Sequence, residues 1–119
     1  MALPRRHVEK DLLCPACGDI VAAAVYTRWP GNLVLTSPDG YRIQPESAAV
    51  QIRLAQQDQA TGEPAARLAA PDRLDFIRRN MGELIYDLRC HRGHSTLRTT
   101  PQIARAMQKT PGAWVTLGS

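Results

Sequence analysis

Short apolar runs punctuated by Pro and Gly set the pattern of this chain. Ile20 to Arg28 (IVAAAVYTR) is apolar, turns β-branched and aromatic towards its end, and stops at Pro30-Gly31, which predicts a strand. Leu33 to Thr36 and Tyr41 to Ile43 flank Ser37-Pro38-Asp39-Gly40, and Pro at the second position with Gly at the fourth predicts a hairpin closed by a type I turn. From Pro45 to Gln59 the pattern carries two signals. Val50, Ile52 and Leu54 alternate as in a strand, while Ala48, Ala49, Ala55 and the Gln-rich tail favour a helix; the balance across 46–58 leans to helix.

Residues 60–71 (ATGEPAARLAAP) have the composition of a flexible loop. Asp72 then caps an expected helix running to Asn80, with Leu74, Ile77 and Met81 on its apolar face and Gly82 as its stop. Leu84 to Cys90 is β-rich. Thr100-Pro101 predicts a second helix start, with Thr100 as N-cap and Pro at the first helical position, and Ile103, Ala104 and Met107 supply the apolar face. Pro111-Gly112 ends that helix, and Trp114 to Leu117 predicts a last short strand.

The 119 residues, 44% hydrophobic and 22% charged, fit one domain spanning 1–119 and exclude a disordered, collagen-like or coiled-coil chain. Aromatic residues make up only 5%, so the core must be built from Ala, Val, Ile and Leu, and a chain with so modest a core gains from a staple. Trp29, Tyr41 and Tyr86 are the aromatics expected outside the core. No run approaches the roughly 20 apolar residues of a membrane span, and Glu9, Lys10 and Asp11 replace any signal-peptide core, so a cytoplasmic protein without membrane contact is expected.

Charge is distributed unevenly. Residues 1–10 form a basic N-terminal arm, residues 11–77 carry five Arg against eight acids, and residues 78–109 carry seven cations against Glu83 and Asp87. Thirteen of the fifteen cations are Arg, whose planar fork suits phosphate and carboxylate groups, although Arg with little Lys is also what a GC-rich genome produces. Arg78, Arg79, Arg89, Arg92, Arg98, Arg105 and Lys109 are the candidate nucleic-acid or anion-binding residues.

The chemistry lies in the three cysteines. Cys14-Pro15-Ala16-Cys17-Gly18 sets two thiolates three positions apart, a spacing that lets both reach one tetrahedral ion at about 2.3 Å, while Gly18 frees the backbone to turn. Cys90-His91-Arg92-Gly93-His94 offers a second pair, so Cys14, Cys17, Cys90 and His94 form a candidate Cys₃His site. Three thiolates and an imidazole favour zinc over iron. His91 adjoins Cys90 and is expected to point away along the strand; His7 belongs to the basic arm, and either is a substitute for His94 in the ligand set. Free thiols or a redox C-x-x-C are the competing readings, the latter disfavoured because no βαβ pattern surrounds the motif.

These two motifs resemble the knuckles of the zinc-ribbon group, in which two turns at the ends of β-hairpins clamp one zinc. CPACG matches the first knuckle, and CHRGH matches a second in which His replaces the last Cys. The 72 residues between them exceed the roughly 15 to 20 of simple ribbons, which implies either a large insertion or a different fold that brings two knuckles together. The resemblance implies an α+β fold: a zinc-ribbon-like β-hairpin core, a helical insertion and a C-terminal helix, holding one structural Zn²⁺.

His7-Val8-Glu9 with Cys14-Pro15-Ala16-Cys17 superficially matches the signature of zinc deaminases, but Pro follows Cys14 instead of preceding it and the halves lie too close together. Four protein ligands also close the tetrahedron that catalytic zinc leaves open, so neither an enzyme nor a small-molecule substrate is expected. Zinc ribbons often serve transcription and translation machines, and the basic C-terminal half suits nucleic acid. The alternative is a protein-interaction or structural component of a larger assembly, a viral particle included.

Overall fold

The computed structural model describes residues 7–28, 31–53 and 70–117. Two sheets organise them. The first has five strands in the order β4-β3-β2-β1-β8, built from β1 (His7–Leu13), β2 (Ile20–Thr27), β3 (Asn32–Thr36), β4 (Arg42–Ile43) and β8 (Trp114–Thr116). Neighbours run antiparallel except β1 and β8, which pair in parallel with Leu12 opposite Val115. The second sheet is antiparallel, in the order β5-β6-β7, from β5 (Glu46–Ser47), β6 (Leu84–Arg89) and β7 (Ser95–Thr99). Helix α1 occupies 48–53, α2 is Ala70–Arg79 and α3 is Thr100–Lys109.

The alternation of β6 and β7 gives the second sheet two buried faces. On one, Tyr86 and Leu88 meet Leu12, Val21 and Leu35 of the first sheet and Ile103 and Met107 of α3, forming the larger core. On the other, Ile85 and Leu97 pack with Ala48 of α1 and Ile77 of α2. Arg73 of α2 is also buried on that side, where its guanidinium donates to Asp87 at 2.8 Å. The fold is mixed α+β, with strands predominating.

Several elements differ from expectation. Residues 7–10, read as part of a basic arm, lie in β1, a central strand: Leu12 faces the core while the Lys10 ammonium reaches the Gly112 carbonyl. Residues 46–58 hold both signals because both elements form, β5 at Glu46–Ser47 and then α1 through 53, beyond which the stretch lies outside the described residues. The loop expected at 60–71 is outside them as far as 69, and 70–71 already belong to α2, so Asp72 falls within the helix and is not its cap. Met81 lies beyond α2 and is 58% exposed, and Tyr86, expected outside the core, is buried. Helix α3 is capped by Thr99, one residue before the expected Thr100, because Gln102 then stands at N3, where its amide donates to Thr99 Oγ1 and its side-chain oxygen accepts from the Thr99 amide.

Candidate metal centre

Each knuckle closes a hairpin, and the two hairpins belong to different sheets. Cys14 follows β1, and its amide donates to Asp19 O at 2.8 Å while Gly18 N returns to Cys14 O at 2.8 Å. Cys90 follows β6 in the same way: its amide donates to His94 O at 3.1 Å, and Gly93 N to Cys90 O at 2.9 Å. Gly18 and Gly93 sit at φ of 78° and 87°, left-handed backbone that L side chains disfavour, so the glycine in each motif is what lets the turn close.

Cys14, Cys17, Cys90 and His94 bring their ligand atoms within 4.8 Å of one another. Cys14 and Cys90 are buried, and Cys17 and His94 half-buried. Three sulfurs and a ring nitrogen at this separation are close enough to bind one metal ion, and the donor set suits Zn²⁺. His91 is outside the group, with its side chain 72% exposed, and so is His7, which lies on β1 beside Glu9.

The thiols differ in acidity. Burial pushes Cys90 up, but the backbone amides of His94 and Arg92, the Cys17 thiol and the His94 ring, whose Nδ1 lies 3.3 Å away, outweigh it and bring the group down to about 6. At Cys17 the Asp19 amide pulls down, whereas burial, the Asp19 carboxylate and the sulfurs of Cys14 and Cys90 push up, and the thiol is raised to about 12. Metal binding must therefore displace a proton from Cys17.

Asp19, which the sequence reading did not single out, joins the knuckles. Its Oδ2 accepts from Cys17 Sγ at 3.2 Å and lies 2.9 Å from His91 Nδ1 and 3.6 Å from Arg92 Nε, so one carboxylate from the first knuckle reaches two residues of the second. A carboxylate directly after CPACG was the signal available for it.

The seven basic candidates separate into groups. Arg79 pairs with Asp75 at 3.3 Å, Arg89 with Asp87 at 3.1 Å, and Arg92 with Asp19, while Arg78 stands exposed at the end of α2. Arg98, Arg105 and Lys109 line one cleft between α3 and Leu117. The structure thus distributes these seven residues over three regions.

What fold and site define directly is a class: a mixed α+β protein in which two hairpin turns from different sheets assemble a Cys₃His cluster fit for a metal ion. In comparisons with protein-family models, curated proteins and solved structures, no match was found for this chain. Among the described residues no helix is long and apolar enough to cross a membrane.

Proposed function

We propose that the chain is a non-enzymatic protein in which one structural Zn²⁺, held by Cys14, Cys17, Cys90 and His94, clamps two β-hairpins, and whose basic C-terminal half binds nucleic acid as a small regulator or an accessory subunit of a transcription or translation machine. The observation that carries the zinc reading is the convergence of all three cysteines and His94 within 4.8 Å from two motifs with 72 residues between them. Four protein donors complete a tetrahedron, which supports a structural ion over one that activates water.

The nucleic-acid reading draws on the seven cations between 78 and 109 and on those not engaged by acids in the described residues, above all Arg98, Arg105 and Lys109. Its test is binding of labelled DNA and RNA over a salt series. Affinity should fall by roughly 0.9 log units per log unit of salt for each duplex phosphate neutralised. Binding that is absent or indifferent to salt would leave the second reading, a protein-interaction component of a larger assembly. That reading is favoured by Trp114, 60% exposed on the edge strand β8, and by the acidic partners of Arg79, Arg89 and Arg92. Partners that survive nuclease in a pulldown would support it.

A further inference from the structure

We propose that the cleft between α3 and the segment following β8 is a phosphate subsite that takes one phosphodiester of a nucleic-acid backbone; this rests on the nucleic-acid reading and assigns its principal contact. The cleft measures about 230 Å³. Helical spacing builds one wall, since Arg105 and Lys109 stand one turn apart on α3 and the small Ala106 between them leaves room beneath their heads. Arg98 of β7 and Leu117 form the other wall.

Arg98 is held in place. Its guanidinium donates to Leu97 O at 2.7 Å and also to Leu117 O, and a guanidinium has five N–H donors, so donors remain for a ligand after both bonds are made. Among the described residues no acidic side chain lines the cleft and no ion pair engages Arg98, Arg105 or Lys109. Two other clefts carry both signs: one beside the knuckles combines Asp19 and Asp39 with Arg89 and His91, and one on the first sheet combines Glu9 and Asp11 with Lys10.

The lining also selects the form of the phosphate. Ala106 and Leu117 place an apolar strip beside the cations. A phosphodiester, whose charge is flanked by sugar carbons, fits such a strip better than a free phosphate, which needs donors on every side.

The experiment compares Arg105→Ala/Lys109→Gln with Arg78→Ala/Arg79→Ala in binding a labelled oligonucleotide across a salt series. All four side chains are exposed, and unchanged circular dichroism and zinc content serve as the folding check. The proposal predicts that the cleft pair loses about tenfold in affinity and that its salt slope shrinks by about one, while the α2 pair stays within about twofold of wild type. Equal losses in both pairs would overturn it in favour of diffuse attraction. Unchanged binding in the cleft pair would overturn the subsite while leaving the nucleic-acid reading intact. If wild type binds no oligonucleotide, that reading and this phosphodiester proposal both fail, and pyrophosphate titration followed by phosphorus NMR then reports whether the cleft holds free anions instead.

Discussion

At Asp19 a single carboxylate oxygen serves both knuckles, accepting from Cys17 and lying against His91 and Arg92. Once Cys17 ionises on a metal it no longer donates, and the oxygen's remaining contacts hold the second knuckle against the first. The carboxylate also favours the protonated form of Cys17. Asp19→Ala should therefore lower the Cys17 thiol from about 12 towards its ordinary range, read as faster alkylation of the metal-free protein as pH rises. Unchanged alkylation would reduce the contact to an incidental surface pair.

A second carboxylate has a structural task. Burial pushes Asp87 up, yet the Ser95 hydroxyl and the guanidinium groups of Arg73 and Arg89 together hold it below its ordinary value of 3.8. The ionised form is thus favoured by folding: its contribution is present above that value and is lost as pH falls through the lower folded one. Asp87→Asn leaves Arg73 buried without its counter-charge and should cost about 3 kcal/mol at neutral pH. The gap between variant and wild type in chemical denaturation should narrow as pH drops below 3.8.

Among the elements, α3 depends most visibly on one local device. Thr99 and Gln102 exchange hydrogen bonds as a capping box, and Thr99 is itself buried at the end of β7. Thr99→Ala should cost about 1 kcal/mol in thermal or denaturant unfolding, the usual worth of an N-cap. The pattern of the sequence leads directly to β2, the β3–β4 turn, β6 and β8, because each pairs β-branched or aromatic residues with a Pro or Gly boundary. Strand β1 is hidden by Glu9, Lys10 and Asp11: its central position emerges only when β8 pairs beside it and Gly112 accepts from Lys10. The polar strand β7 (STLRT) is hidden too, since its burial comes from sheet and helix packing. The Thr99 cap was within reach through the T-x-x-Q spacing, but Thr100 next to Pro101 gave a competing start. The candidate metal cluster was readable because coordination demands particular residue types at particular spacings, whereas Asp19 and the gathering of Arg98 with Arg105 and Lys109 depend on tertiary geometry.

For the whole molecule, the ion would connect two hairpins from separate sheets across the larger core. Apparent binding free energies of about 10 to 16 kcal/mol for structural zinc rival the roughly 5 to 15 kcal/mol that separates folded from unfolded domains. With Phe76 the only phenylalanine and its core drawn mainly from aliphatic side chains, the protein is one whose fold such an ion can decide. Native mass spectrometry of the purified protein, with Cys90→Ser and His94→Ala alongside, addresses this most directly. The account predicts one zinc per chain in the wild type and weakened retention in both variants; a wild type that is folded and metal-free, with zinc in the buffer, would contradict it.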